Sequence, residues 1–128
     1  MSGESVLIVD DNAINLKLAR VLLQGEGFAV TTAIDAEEAL RLLATLVPRL
    51  ILMDIQLPGM DGLALTRRLK ADAATRHIVI LALTAYAMKG DEEKARAAGC
   101  DGYVTKPIDI ELLPNLIASH LRLQAEEK

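Results

Sequence analysis

Four short apolar segments, each followed at once by a reactive polar residue, constrain the fold of this chain more than any other feature. The segments and the residues that end them are Val6–Val9 with Asp10 and Asp11, Leu50–Met53 with Asp54, Val79–Leu83 with Thr84, and Tyr103–Thr105 with Lys106. Apolar segments of this length are typical of buried strands. In an open parallel α/β sheet, ligands bind at the carboxyl ends of the strands. The sequence therefore predicts one anionic pocket, faced by a hydroxyl group and an amine.

Strand-like and helix-like segments alternate from one end of the chain to the other. The predicted strands are 5–10, 28–33, 50–54, 78–83 and 102–105, and the predicted helices are 12–25, 35–43, 62–71, 89–98 and about 109–122. Alternation of this kind, with short connections, favours a parallel sheet covered by helices on both faces. Because crossover connections are right-handed, we expect a doubly wound α/β fold.

The helices carry their own start and stop signals. Asn12 is a candidate N-cap for the first helix, and Asp35 with Glu38 gives the second helix an Asp-x-x-Glu start. We expect the buried face of the first helix to be formed by four residues at helical spacing, Ile14, Leu18, Val21 and Leu22. Pro114 would cost about 3 kcal/mol inside a regular helix, so we expect the last helix to become regular only near that residue.

Composition excludes several classes of function. The 128 residues fit one domain over 1–128, with a core at about 5–122 and tails at 1–4 and 123–128. A net charge of −4 and only three aromatic residues argue against nucleic-acid binding. No segment approaches the roughly 20 apolar residues of a membrane span, and the N-terminus does not resemble a signal peptide. Cys100 is the only cysteine, which favours a reducing cytoplasm, and we expect a monomer.

The predicted pocket suits phosphoryl transfer. Three converging carboxylates repel one another, and a divalent cation removes that penalty. Oxygen ligands favour Mg²⁺, which keeps several waters and accepts phosphate oxygens. An aspartate is able to attack phosphorus and form an acyl phosphate. Asp54 is the best candidate nucleophile because it stands alone at its strand end, while Lys106 and Thr84 would bind phosphoryl oxygens.

At the level of motifs, the chain resembles the receiver domain of two-component response regulators from about Ser5 to Leu121. The resemblance is carried by Val9–Asn12, Met53–Gly62, Leu83–Ala85 and Gly99–Pro107. It implies a five-stranded sheet of order 2-1-3-4-5 with five helices, a flavodoxin-like arrangement of which receiver proteins are a known example. It also implies a phosphorylation-activated signalling switch that catalyses only its own phosphorylation and slow dephosphorylation.

The same resemblance assigns roles residue by residue. Asp54 would accept a phosphoryl group from a phosphohistidine of a histidine kinase or histidine phosphotransfer domain. Mg²⁺ would be held by Asp11, Asp54 and the backbone carbonyl of Gln56, with Asp10 acting through water. Thr84 would move toward the phosphate and Lys106 would pair with it.

The resemblance also places the signal output on the face made by helix four, strand five and helix five. The aromatic ring of Tyr103 would turn inward when Thr84 moves, and the altered face would bind a downstream protein. The residues expected on this output face are Lys89, Arg96, Tyr103, Ile108 and Leu112. The kinase is expected at the pocket rim and first helix, including Asn15, Leu16, Ile55 and Pro107.

Alternatives remain at this stage. A free-standing regulator is favoured over a receiver from a hybrid histidine kinase. A phosphohydrolase with an aspartate nucleophile is a different class, but such enzymes usually carry an Asp-x-Asp pattern on the first strand and a cap domain. Val9–Asn12 lacks that spacing, and 128 residues leave no room for a cap.

Overall fold

Strands and helices alternate as the sequence predicts. The computed structural model describes residues 3–57, 59–84, 90–105 and 112–126. The strands are β1 (Ser5–Val9), β2 (Ala29–Ala33), β3 (Leu50–Asp54), β4 (Val79–Thr84) and β5 (Gly102–Thr105). The helices are α1 (Ala13–Gly25), α2 (Ala36–Leu43), α3 (Gly62–Ala71), α4 (Asp91–Ala98) and α5 (Leu113–Glu126). The strands form one sheet of order β2-β1-β3-β4-β5 with every neighbouring pair parallel, which confirms the predicted doubly wound sheet.

Successive residues of the central strands belong to two different cores. On one face of the sheet, Leu7, Ile51 and Ile80 pack with residues of α2, α3 and α4. On the other face, Ile8 and Leu52 pack with residues of α1 and α5. This alternation follows from the period of two along a strand. Because both faces are covered, the central strands are apolar throughout, and their carboxyl ends are the points where polar groups begin.

Side-chain caps fix where three helices begin. Asn12 Oδ1 accepts hydrogen bonds from the amides of Ile14 and Asn15 at 3.0 and 3.1 Å, as predicted for α1. Asp35 Oδ1 accepts from the amide of Glu38 at 2.8 Å, which confirms the predicted start of α2. Asp61 caps α3 through the amide of Ala64 at 2.8 Å. Each cap satisfies a backbone donor that would otherwise have no partner inside the helix.

The predicted buried face of α1 is wrong. Ile14, Leu18 and Val21 are 78%, 50% and 58% exposed, and Leu22 is only half-buried. The helix instead buries a second set of apolar residues, which are Leu16, Ala19 and Leu23. At about 100° per residue the two sets lie on opposite sides of the helix, so spacing alone could not choose between them. The buried set packs against Val6 and Ile8 of β1.

Several predicted boundaries shift by a few residues. α4 begins at Asp91 rather than near Lys89, because Gly90 adopts a left-handed conformation with φ of 100° as its N-cap. α5 is regular from Leu113, which places Pro114 in its first turn, and it continues to Glu126 rather than ending near Arg122. Pro lacks the amide that the first turn of a helix leaves unbonded, so this is the part of α5 that tolerates it.

No helix in the described part of the chain is both long enough and apolar enough to cross a membrane.

Candidate functional site

Three carboxylates meet at the carboxyl ends of β1 and β3. Asp10 directly follows β1 and Asp54 is the last residue of β3, and these strands are paired with Val9 opposite Met53. One carboxylate oxygen from each of Asp10, Asp11 and Asp54 lies within 4.8 Å of the others. Asp10 and Asp54 are 1% and 3% exposed, whereas Asp11 is open to solvent. The predicted acid cluster is therefore present, with one side accessible.

The backbone after β1 holds the acid pair in place. Asp10 Oδ1 accepts a hydrogen bond from the amide of Asn12 at 2.9 Å. The side chain of Asn12 in turn caps α1, so the helix begins two residues after Asp11. Because Asp10 binds the residue that starts α1, the orientation of this carboxylate depends on the position of the helix.

The loop after β3 holds Asp54 in a similar way. The amide of Gln56 donates to Asp54 Oδ1 at 2.9 Å, and the amide of Ile55 donates to the carbonyl of Leu83 at 3.1 Å. Gln56 is thus hydrogen-bonded to Asp54 through its amide, and the role of its carbonyl as a metal ligand stays a prediction. The side chain of Gln56 is exposed.

The backbone of Gly62 lies directly against the backbone of Asp54, a contact that the sequence pattern does not predict. A Cβ atom at this position would contact the carbonyl oxygen of Asp54 and would lie 2.7 Å from Cα of Ile55. The sequence signal is the Asp61–Gly62 pair, which indicates a turn. In the structure Asp61 caps α3, and Gly62 lets the first turn of that helix approach the backbone of Asp54. Only a residue without a side chain permits this approach.

Thr84 is the last residue of β4 and is fully buried. Since Asp54 pairs with Leu83, Thr84 lies one position beyond Asp54 on the neighbouring strand. Tyr103 of β5 pairs with Ala82 of β4, is half-buried, and packs against the core beneath α2, α3 and α4. Lys106, the predicted partner of the phosphoryl group, lies outside the described residues.

The exposure of individual side chains corrects one residue of the predicted kinase contact and agrees with the predicted output face. Leu16 is only 7% exposed, so it is not available for the predicted kinase contact, whereas Asn15 and Ile55 are half-buried. Leu112 is 62% exposed and Arg96 is exposed, as an output face requires. Lys89, Ile108 and Pro107 lie outside the described residues.

The donor set fits a hard divalent cation. All three side chains offer carboxylate oxygens, and Mg²⁺ binds through one or two carboxylates while it keeps several waters. Three like charges this close repel one another, and a bound cation offsets that repulsion. Soft ligands are not part of the described cluster, which disfavours a zinc or copper site.

Comparison with known proteins identifies the class to which this fold and site belong. The family model described as the response regulator receiver domain matches residues 6–118. The chain therefore belongs to the response regulator receiver family. It is a signalling domain and not a metabolic enzyme, and the aspartate-nucleophile phosphohydrolase is not favoured.

Individual relatives agree with this assignment. The polar-differentiation response regulator DivK of Brucella ovis is 47% identical over 118 residues, which cover 92% of this chain and 96% of that protein. A CheY-like response regulator receiver domain protein from Methanospirillum hungatei superimposes with a TM-score of 0.91 at 30% identity, covering 99% and 100% of the two chains. The receiver domain of a sensor histidine kinase from Pseudomonas aeruginosa gives 0.85 at 33% identity, covering 94% and 98%, and has a magnesium ion coordinated in its active-site cleft.

Proposed function

We propose that Asp54 accepts a phosphoryl group from a phosphohistidine in a Mg²⁺-dependent reaction and that this modification switches the signalling state of the chain. The observation that carries the proposal is the cluster of Asp10, Asp11 and Asp54 at one end of a receiver-type sheet. Asp54 is the acceptor because it ends the central strand β3 and lies between the acid pair and Thr84.

The metal would be held by Asp11, Asp54 and the carbonyl of Gln56, with Asp10 acting through water. Bound there, Mg²⁺ would supply positive charge for the phosphoryl oxygens. The protein's own groups orient the acceptor: the amide of Gln56 donates to Asp54 Oδ1 and so helps to fix the carboxylate, one oxygen of which would attack phosphorus. Attack forms the bond between that oxygen and phosphorus, and the bond from phosphorus to the donor's imidazole nitrogen breaks.

Thr84 and Lys106 would bind the transferred group, the hydroxyl by donating a hydrogen bond and the amine as a point charge.

Tyr103 would then change position in response to Thr84, because its ring already packs on the core behind β4. In a sample carrying a phosphoryl mimic, NMR contacts from the Tyr103 ring to the core should increase; a ring that stays in place would remove Tyr103 from the switch.

The phosphodonor is expected to be a histidine kinase or a histidine phosphotransfer domain, and the output partner a protein. The exposed side of α1, defined by Ile14, Leu18 and Val21, begins three residues after Asp11 and is a suitable apolar surface for a donor that must reach the site. This surface replaces Leu16 in the predicted kinase contact.

Whether the chain acts as a free-standing regulator or within a hybrid kinase stays a prediction. The match to 96% of DivK from Brucella ovis supports the free-standing form, and the Pseudomonas aeruginosa neighbour is a receiver of a sensor kinase. We likewise propose residues 1–128 as one receiver domain. The cytoplasmic location and the monomeric state remain predictions from the sequence.

Incubation of the full chain with Mg²⁺ and a small acyl phosphate tests the proposed reaction. Intact mass spectrometry should show the gain of one phosphoryl group, and this gain should disappear in Asp54→Asn or when the metal is chelated. Asp72→Asn, at an exposed acid in the α3–β4 connection, is the control and should be labelled like the wild type. Equal labelling of Asp54→Asn would contradict the proposal.

A further inference from the structure

A shallow cavity of about 490 Å³ lies between the start of α2 and the loop that follows β3. Its described walls are formed by Asp35, Ala36, Glu37, Leu40, Gly59 and Met60. We call this cavity the α2 groove. Its volume falls within the range of roughly 300–1,000 Å³ that is typical of ligand pockets.

The α2 groove combines two carboxylates with an apolar wall. Asp35 uses Oδ1 to cap α2, and among the described residues its other oxygen receives no hydrogen bond. Glu37 is exposed, and within the described part of the chain its carboxylate has no ion pair. Leu40 is half-buried against the core, and Met60 is 38% exposed. Negative charge thus lies next to exposed aliphatic surface.

This combination matches the chemistry of a basic side chain. Lys and Arg bury apolar stems while they keep the charged head in solvent or near an acid. In the α2 groove the stem would lie against Leu40 and Met60, and the head would meet Asp35 and Glu37. The net charge of −4 also favours a cationic partner over an anionic one.

We infer that the α2 groove binds a basic, apolar segment of a partner protein and that this binding is coupled to the modification of Asp54. The inference of coupling rests on the proposed function. Its structural basis is the loop that connects Asp54 to Met60, because the groove wall and the acceptor belong to the same short segment.

Two hydrogen bonds hold the ends of this loop near the end of β3. The amide of Gln56 donates to Asp54 Oδ1, and the amide of Gly62 donates to the carbonyl of Ile55 at 3.3 Å. Modification of Asp54 changes the charge and shape of the carboxylate that Gln56 binds, so the loop that carries Gly59 and Met60 responds. Coupling between two sites is reciprocal, so a segment bound in the groove would also alter the modification equilibrium of Asp54.

An NMR titration of the full chain tests the binding. The probe is an acetylated, amidated hexapeptide of alternating leucine and arginine, added in the presence of Mg²⁺ to neutralise the carboxylate cluster. We expect shifts at the amides of Leu40, Gly59 and Met60, and much weaker binding of the counterpart with glutamate in place of arginine. Shifts confined to other surfaces would overturn the inference. Concentration-dependent shifts of these amides without peptide would also overturn it, because they would indicate a second copy of the chain in the groove.

Matched variants distinguish peptide binding in the α2 groove from a general attraction of the peptide to a negatively charged protein. Glu37→Lys should weaken peptide binding by about two- to fivefold beyond the effect of Glu93→Lys, which makes the same charge change at an exposed position of α4. Glu37→Gln gives a milder change if Glu37→Lys perturbs the first turn of α2, and it should weaken binding in the same direction. If Glu37→Lys and Glu93→Lys weaken peptide binding equally, the attraction is not local to the α2 groove. That result would overturn the proposal that the peptide binds there.

The coupling is tested by repeating the titration after treatment with an acyl phosphate, with the phosphoryl content measured by mass. A change of about fivefold in peptide affinity on phosphorylation supports the coupling. Full phosphorylation with unchanged affinity overturns the coupling and leaves the proposed function standing. Failure to phosphorylate Asp54 overturns the proposed function and the coupling with it, while the binding result is judged on the titration alone.

Discussion

Single residues at this site are constrained by backbone geometry as much as by chemistry. Gly62 is the clearest case, because a methyl group there would meet the carbonyl of Asp54 and the backbone of Ile55. These neighbours are backbone atoms of Asp54, the proposed acceptor, and of Ile55, so they cannot move without moving Asp54 itself. The glycine therefore belongs to the support of the site.

Gly62→Ala should destabilise the fold by about 3 kcal/mol, at the upper end of the range for overpacking, and should slow acyl-phosphate labelling of Asp54. Gly25→Ala is the matched control, since no atom lies within 4 Å of a Cβ built there. That variant should be neutral or more stable by up to about 1 kcal/mol. Urea unfolding measures both, and equal stability of the two variants would contradict the proposed close approach.

Cys100 gives a residue-scale prediction for pH. Burial raises the pKa of the Cys100 thiol above its ordinary value of 9.0, while the nearby hydroxyl of Thr66 acts in the opposite direction. As the pH rises, the unfolded chain loses this proton before the folded protein does. The stability due to the neutral thiol is thus complete below the unfolded pKa and is lost as the pH rises through the folded pKa.

The free energy of unfolding of the wild type minus that of Cys100→Ala should stay constant below pH 9.0 and fall above it. Taking the difference cancels the titration of lysines and tyrosines, which ionise in the same range. Chemical unfolding at a series of pH values provides the measurement. A difference that stays constant well above that pH would show that the buried thiol has an ordinary pKa.

At the scale of elements, α1 shows why helical spacing alone is insufficient. Leu23 is fully buried, and Leu18 is half exposed on the opposite side of the same helix. Leu23→Ala should cost about 2–5 kcal/mol, since it removes contacts and leaves a cavity. Leu18→Ala should change stability by roughly 0.5 kcal/mol or less. Urea unfolding of both variants checks which face of α1 is buried. A larger loss of stability in Leu18→Ala than in Leu23→Ala would support the buried face predicted from the sequence.

Most elements could be predicted because their signals are local. The caps at Asn12 and Asp35 and the apolar strands that end in acids depend on neighbouring residues only. The face of α1 could not be predicted, because two apolar stripes compete and the choice depends on contacts with β1 that spacing does not encode. The role of Gly62 escapes sequence reasoning for the same reason: its close neighbour, Asp54, is eight positions away in the sequence but adjacent in the fold.

At the scale of the whole molecule, the sheet concentrates negative charge at one end, and metal binding should therefore stabilise the fold. A ligand at 100 times its Kd contributes about 2.7 kcal/mol, so Mg²⁺ should raise the Tm of the wild type. Asp11→Ala should lose this rise, because it removes one of the three carboxylates that the structure brings together. Asp72→Asn should keep it, and an unchanged rise in Asp11→Ala would remove Asp11 from the metal site.

The same arrangement explains how a domain with so few polar core residues holds a reactive centre. Five buried polar or charged residues are found in the described part of the chain, and three of them, Asp10, Asp54 and Thr84, lie at the carboxyl ends of strands. The order of the strands brings these ends together, although the first and last of the three residues are more than 70 positions apart in the sequence. Phosphorylation of Asp54 would then add about two negative charges at the carboxyl end of the central strand β3.

Locating the phosphoryl group tests the central claim most directly. The chain, treated with Mg²⁺ and a small acyl phosphate, is reduced with borohydride, which converts an aspartyl phosphate to homoserine, and is then digested and sequenced by mass spectrometry. We predict homoserine at position 54 and aspartate at positions 10 and 11. Homoserine at position 10 or 11 with aspartate retained at 54, or a phosphoryl group on a residue other than aspartate, would contradict the account.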